Sequence, residues 1–532
     1  MMRVFNTTGP CNPEIHYMVN IDKKLEQIKR LIDAGAYFNM NKARQYGKTT
    51  TIKALKNYLS REYVVLPLDF QKIGNEEFTT AELFCRAFIR HLLATINSKK
   101  APIAGLDKKA LDDMYKAENN AEMLSLNKLF TYLQMLCETA EKPVVLIIDE
   151  VDSASNNQVF LDFLAQLRGD YLNRDEVYTF QSVILAGVHD VKNIRYKIRP
   201  EEAHKVNSPW NIAADFNIDM SFSADGIAGM LQEYENDHHT GMDTEKIAGL
   251  IYEYTSGYPF LVSRICQLID SGIAGTAPHP DKKAAWTEAE FVDAVKQLIN
   301  EPNSLFQSLI GKLINIPEMN ELVAKILFSG VSIPYVAVNQ EISLAGMYGF
   351  IKSQDNVIAI SNRIFESVLY NYLLSQDALD SEMYHAALEE KPQYVENGCL
   401  NMKHVLARFV EIFDEIYGDK DESFREDVGR KYFMLFMKPI INGVGFSYVE
   451  ARTRDLKRTD MIVQYGSEQF IIEMKIWKGP KYHAEGEKQL AEYLDIYHQN
   501  TGYLLTFNFN KHKMRGIKEE VVNGKTLIEA TV

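Results

Sequence analysis

The sequence predicts a multidomain α/β protein, and three observations carry that expectation. Gly47-Lys48-Thr49 stands between a short apolar stretch and a helical pattern. A continuous apolar run, VVLIID, ends in the acidic pair Asp149-Glu150, 100 residues after Thr49. Near the other end, Asp460 precedes Glu473 and Lys475 on two strand-like segments joined at Gly466-Ser467. Strands alternating with helical segments through the first 200 residues argue for a doubly wound sheet.

The elements follow in order. AYFNMN, from Ala36, reads as a strand entering the Gly-Lys-Thr loop, and a helix follows to Leu59. YVVLPLDF, Tyr63 to Phe70, is rich in β-branched residues and reads as the next strand. Helical periodicity covers Thr80 to Ile96, and residues 98–124 form a polar insertion with a short helix. VVLIID after Pro143 and SVILAGV at 182–188 have the unbroken apolar character of buried parallel strands. From Ser223 to Pro302 the pattern is helical, clearest in GYPFLVSRICQLI, and suits a lid. Residues 303–375 suggest helices and then a hairpin turning at Asp355-Asn356, a winged-helix-like order. HVLARFVEIFDEIYG is a further helix between polar segments. FSYVEA, TDMIVQY, QFIIEMKI and GYLLTFNF are the last strand candidates, with the helix EGEKQLAEYLDIYHQ between the third and fourth.

Composition narrows the classes. A chain of 532 residues exceeds one small domain and suggests about three or four. Its 58 Lys and Arg against 72 Asp and Glu give a net charge of −14, which excludes a uniformly basic coat but not a local basic groove. Residues 401–532 balance 20 basic against 20 acidic side chains, so the preceding part carries the whole excess. Five scattered cysteines form no CxxC pair, so reduced thiols are expected rather than a disulfide framework or zinc knuckle. No apolar stretch is long enough to span a bilayer, and the start lacks the order of a signal peptide. The expectation is a cytoplasmic protein with no membrane partner.

A phosphate loop needs backbone N–H groups turned toward the anion, a lysine for the β and γ oxygens, and a hydroxyl for Mg²⁺. Gly47, Lys48 and Thr49 supply these, Thr50 follows on the same helical turn, and the helix points its positive end at the phosphates. The full pattern would place a glycine where Lys42 stands. Asp149 is expected to hold Mg²⁺ and Glu150 to polarise an attacking water. His189, at the end of the 182–188 strand, is a candidate γ-phosphate sensor, against a plain surface histidine. Arg195, Arg199 and Arg264 are candidates for closing on the nucleotide, against ordinary solvent-facing charges.

Strand alternation puts Glu473 and Lys475 on one side of an otherwise apolar strand, where an acid and a lysine are costly unless they bind something. A divalent cation held by Asp460, Glu473 and the Met474 carbonyl would remove that cost, and oxygen ligands favour Mg²⁺ or Mn²⁺. Lys475 could then orient or deprotonate a water attacking a phosphodiester. The alternative is a structural Glu–Lys pair. Arg452, Arg454, Lys457 and Arg458 form a basic loop that could meet a phosphate backbone or simply be solvated.

This constellation resembles the core of the PD-(D/E)xK restriction-endonuclease-like superfamily, with Gln489 and Tyr493 on the following helix completing the likeness. The resemblance implies a further acid from an earlier helix, Glu426 in preference to Glu422. The proline that names the motif is replaced by Thr459. With ARQYGKTT, LIIDEVD, GVHDVKN, NSPWNIAADF and SGYPFL, the whole chain resembles bacterial AAA-like ATPases that carry a carboxyl-terminal nuclease-like domain. In that group the departure from the full pattern at Lys42 is usual, and the stretch before the glycine carries an arginine, here Arg44.

The resemblance implies a P-loop ATPase domain at 1–222, a helical lid at 223–302, a winged-helix-like module at 303–378, a helical connector at 379–415 and a restriction-endonuclease-like α/β domain at 416–532. It implies ATP and Mg²⁺ as cofactors and nucleic acid, DNA before RNA, as partner, with a homo-oligomer or a protein partner also open. The leading expectation is an ATP-regulated, metal-dependent nuclease. The alternatives are an ATP-dependent switch that binds nucleic acid or protein without cutting, and an oligomeric signalling ATPase.

Overall fold

Alternate residues of four short strands feed two different cores. The strands are β1 (Phe38–Asn41), β2 (Val64–Asp69), β3 (Val144–Asp149) and β4 (Ser182–Gly187), and they form a parallel sheet in the order β1-β4-β3-β2. The computed structural model describes residues 3–119, 123–154, 157–188, 210–275, 281–328, 333–378, 380–417, 426–448, 461–477, 479–508, 510 and 514–532. It divides into two units, Met1–Phe222 with Tyr258–Phe260, and Ser223–Gly257 with Leu261–Val532.

In the first unit, helices α1 (Asp22–Asp33), α2 (Lys48–Leu59), α3 (Ala81–Ile96), α4 (Lys108–Asn119), α5 (Leu126–Thr139) and α6 (Gln158–Leu172) surround the sheet. Val65, Val145, Ile147 and Ile184 pack on Leu25 and Ile28 of α1 and Ile52 and Leu55 of α2. Leu66, Leu146, Ile148 and Val183 face the other way, onto Phe88 of α3, Leu133 of α5 and Phe163 of α6. Each such side chain contributes about 1.5–3 kcal/mol on burial, so both faces of the sheet are committed to the core. Thr80 and Ser125 cap α3 and α5 through their hydroxyls. The expected insertion is the short helix α4, tied down where Arg86 donates to the Glu118 carbonyl at 2.6 Å. Ala214 forms a parallel bridge with Phe38 beside β1, and Trp210 donates to Asn39 Oδ1 at 2.7 Å. At the opposite edge β2 carries Pro67, and among the described residues no strand pairs with its outer side.

The second unit begins with α7 (Ala224–His238) and α8 (Thr244–Thr255), capped by Ser223 and Asp243, and takes most of α9 (Pro259–Gln267). There follow α10 (Glu288–Asn300), α11 (Ser304–Asn315), α12 (Pro317–Phe328) and α13 (Gln340–Met347). Strands β5 (Ile351–Gln354) and β6 (Val357–Ile360) form the expected hairpin, and Asp355 and Asn356 both adopt positive φ at its turn. Next come α14 (Arg363–Ala378), α15 (Glu382–Glu390), the small hairpin β7 (Val395–Glu396) and β8 (Cys399–Leu400), α16 (Met402–Tyr417) and α17 (Glu426–Ile441).

The remaining strands are β9 (Gly445–Tyr448), β10 (Met461–Tyr465), β11 (Glu468–Ile476), β12 (Thr501–Phe507), β13 (Gly516–Val522) and β14 (Lys525–Thr531). They form a mixed sheet in the order β13-β14-β12-β11-β10-β9. β9, β10 and β11 are antiparallel neighbours, while β11, β12 and β14 run parallel. Helix α18 (Pro480–Ile496) crosses between β11 and β12 and packs Leu490, Tyr493 and Leu494 on Ile471, Leu504 and Leu527. The hairpin β13–β14 is an addition to the four strands the sequence suggested. Among the described residues no helix is long and apolar enough to cross a membrane.

Candidate functional site

Two groups of polar side chains stand at strand ends where apolar packing alone gives no reason for them. In the first unit, β1 runs into a loop in which Gln45 and Gly47 have positive φ, and Gly47 immediately precedes α2. No side chain caps α2, so no side-chain acceptor competes for the N–H groups of its first turn. Lys48 folds back along the loop and donates to the Lys42 and Ala43 carbonyls at 2.8 and 3.1 Å. Burial lowers its pKa, while Glu150, Asp152 and Asp149 pull the other way.

Strand β4 lies between β1 and β3, and parallel pairing brings the ends of all three to one side. Thr49 there donates to Asp149 Oδ2 at 2.9 Å. Asp149 also accepts from the Glu150 N–H at 3.0 Å, and burial raises its pKa against the pull of these hydrogen bonds and of Lys48. Glu150 is raised too, by burial and then by Asp149 beside it, and its backbone is left-handed at φ 55°. A hydroxyl and a carboxylate in contact, next to a buried lysine, form an oxygen donor set that fits Mg²⁺ with a nucleotide phosphate.

Other expected residues lie differently. The Thr50 hydroxyl accepts from the Cys11 N–H at 3.1 Å, so it anchors the amino-terminal segment. Arg44 is exposed, and its carbonyl accepts from the Tyr258 hydroxyl. Arg264 forms a fork on Glu301, with Nε 3.0 Å from Oε1, and also donates to Gln267 at 2.6 Å. Its guanidinium is thus engaged inside the second unit. His189, Arg195 and Arg199 lie outside the described residues. Sequence reasoning missed Asp152, whose carboxylate accepts from the Val188 N–H at 2.6 Å, and Gly187, where a Cβ would come 2.8 Å from Val151. The LIIDEVD segment held the Asp152 signal, but not its partner 36 residues on.

In the second unit Glu473 is 2% exposed, and Lys475 Nζ lies 3.3 Å from its Oε1. Lys475 donates to Gln489 Oε1 at 3.2 Å, and Gln489 donates to the Tyr493 hydroxyl at 3.1 Å. The two residues nominated on α18 therefore reach the strand pair. Tyr482, not anticipated, brings its ring centre within 5.4 Å of the Lys475 ammonium. Gly486 was missed as well: a Cβ there would meet Lys475 Cδ at 3.1 Å and Nζ at 3.2 Å. A lone glycine inside a helical pattern was its signal. Met474 runs in the ladder opposite Leu505. Glu426 is the first residue of α17, but its side chain is outside the described part, as are Glu422, Arg452, Arg454, Lys457, Arg458 and Asp460. β10 begins at Met461, opposite Ile472, the residue before Glu473. The buried carboxylate beside a lysine and a carboxamide is a donor set compatible with a hard divalent cation.

A family model described as an AAA-like domain matches residues 12–371. A second, described as the PD-(D/E)XK nuclease superfamily, matches residues 442–519. Among solved structures the chain is similar to a Walker-type ATPase of Pyrococcus abyssi, at 16% identity and a TM-score of 0.43, over 69% of this chain and 99% of that one. It is also similar to the ORC2 protein of Aeropyrum pernix in ADPNP–ADP complexes, at 11% identity and a TM-score of 0.36, over 67% and 95%. The ORC1 protein of the same organism in complex with DNA matches at 11% and 0.30, over 69% and 94%. No curated protein matches the chain.

Proposed function

The chain belongs to the AAA-like domain family and carries a domain of the PD-(D/E)XK nuclease superfamily, and from that premise we propose that it is an ATP-regulated, metal-dependent nuclease acting on nucleic acid, DNA before RNA. The observation that carries the reading is the Glu473–Lys475–Gln489 chain of contacts, in a protein that also joins Thr49 to Asp149.

In the first unit Lys48 would leave the Lys42 and Ala43 carbonyls for the β and γ oxygens of ATP. Thr49 and Asp149 would hold Mg²⁺, which when bound neutralises phosphate charge. Glu150 would orient the attacking water. Its raised pKa suits a group that must take up a proton.

In the second unit Glu473, Asp460 and the Met474 carbonyl would hold a divalent cation, with Glu426 as a further ligand. That ion, when bound, stabilises charge on the phosphodiester oxygens. Lys475, positioned by Gln489 and screened on one side by Tyr482, would orient the water or remove its proton. Arg452, Arg454, Lys457 and Arg458 would meet the strand backbone.

The test is cleavage of plasmid, linear duplex and single-stranded DNA with Mg²⁺ or Mn²⁺, with and without ATP, beside Lys475→Ala and Lys48→Ala. Wild type should cut and Lys475→Ala should not. Lys48→Ala should lose both ATP binding and any ATP effect on cutting. Equal cutting by Lys475→Ala, or none by wild type, would overturn the nuclease assignment. Unchanged ATP affinity in Lys48→Ala would overturn the phosphate-loop assignment.

A further inference from the structure

The sheet face that presents Glu473 and Lys475 continues across two more strands. Lys475 is paired with Thr506, Leu504 with Glu529, and Thr506 with Thr531, so Thr506, Glu529 and Thr531 share that face. His483 and Glu487, one turn apart on α18, come down onto it. His483 Nε2 lies 3.1 Å from Glu487 Oε1 and 3.1 Å from Glu529 Oε1. One donor atom from each residue falls within 4.8 Å of the others, the one such His/Cys/Asp/Glu group among the described residues.

A single ring nitrogen carries at most one proton, so Nε2 cannot donate a full hydrogen bond to both carboxylates. Around an ion with bonds of about 2.1 Å, neighbouring donors stand about 3.0–3.4 Å apart in octahedral and tetrahedral shells. Both observed separations fall in that interval. The three side chains are also held in place. Glu529 is 6% exposed, and its Oε1 accepts from Thr506 at 3.2 Å and Thr531 at 3.4 Å. The His483 ring lies against Trp477 with centres 4.9 Å apart. Charge points the same way: Glu487 lies beside Glu529 and beside Glu520, with which it shares a hydrogen bond, while Lys518 is bonded to Glu520 at 2.5 Å.

We propose that His483, Glu487 and Glu529 hold a divalent transition-metal ion, Zn²⁺ for preference, at a site separate from the Glu473 centre. One imidazole with two carboxylates suits zinc, whereas a carboxylate-only site favours Mg²⁺. The assignment does not depend on nucleic-acid cleavage.

The experiment is calorimetric titration of the full chain with Zn²⁺, after chelator treatment and in the presence of excess Mg²⁺. It is run on wild type, His483→Ala, Glu487→Gln and Glu473→Gln, with melting curves to confirm folding. Glu487→Gln changes a helix position open to solvent on one side and keeps the fold if His483→Ala does not. Wild type and Glu473→Gln should each take up an equivalent of Zn²⁺ that both His483→Ala and Glu487→Gln lose. Equal uptake by folded Glu487→Gln, no uptake by wild type, or loss of that equivalent in Glu473→Gln would each overturn the site.

Discussion

Lys438, near the end of α17, shows what partial burial does to a charge: its ammonium donates to the Asn371 carbonyl at 2.9 Å, and burial lowers its pKa to about 8. A base depressed in the folded state stabilises the protein above its unfolded pKa, near 10.4, and loses that contribution as pH falls through about 8. At neutral pH the charged form is therefore a liability. Lys438→Met should raise the melting temperature near pH 7, with the gain shrinking toward pH 10. A melting series over that range checks it, and a gain constant with pH would reject burial of charge as the cause. Asp149 and Glu150 are a second case of buried like charge, kept where Thr49 and Lys48 converge. Lys48 with Thr49, and Asp149 with Glu150, stood out because each pair is a short run of particular residue types at the end of an apolar stretch, although 100 residues separate Thr49 from Asp149. The bond that the Thr50 hydroxyl accepts from Cys11 was not legible, because Cys11 lies 39 residues away and only folding brings it there. Arg264 was weighed for its charge, while Glu301, which engages it, belongs to another helix terminus.

Helix α18 places Tyr482, His483, Glu487, Gln489 and Tyr493 at the sheet. Gly486 in its middle gives up about 1 kcal/mol of helix propensity relative to alanine. The space it leaves is filled by the Lys475 side chain. Gly486→Ala should keep or raise thermal stability and yet lower DNA cleavage, because the added methyl displaces Lys475 from Gln489. Full cleavage by Gly486→Ala would show that the lysine tolerates the shift. The helix was readable from its periodicity, and so were the strands at its two ends. The hairpin β13–β14 was not read from the sequence, although Asn523-Gly524, both with positive φ, is a strong turn signal. Its first strand, GIKEEVV, is charged because it is an edge, and so it resembles a polar tail. Without that hairpin Glu529 has no register, and its meeting with His483 could not be foreseen from sequence.

At the scale of the whole molecule, the net charge of −14 lies before residue 401, so any hold on a polyanion must come from a local basic surface. The α/β character, the buried parallel strands of the first sheet and the Glu473–Lys475 spacing all follow from runs and spacings that sequence displays directly. The order of the second sheet does not, because it depends on where strand ends meet after the crossing of α18 and on the hairpin β13–β14. Pro67 has a consequence of another kind. β2 is the edge strand of its sheet; the Asp69 N–H there donates to His91 Nε2 at 3.0 Å, and Pro67 has no N–H with which to recruit a foreign strand. Pro67→Val would restore that donor within an already apolar segment. It should leave ATP binding unchanged but raise light scattering at high protein concentration on warming, and unchanged scattering would show that the proline gives no such protection. On that expectation, the same proline that interrupts the run VVLPLD guards against self-association, keeping one molecule's sheet from becoming a template for the next.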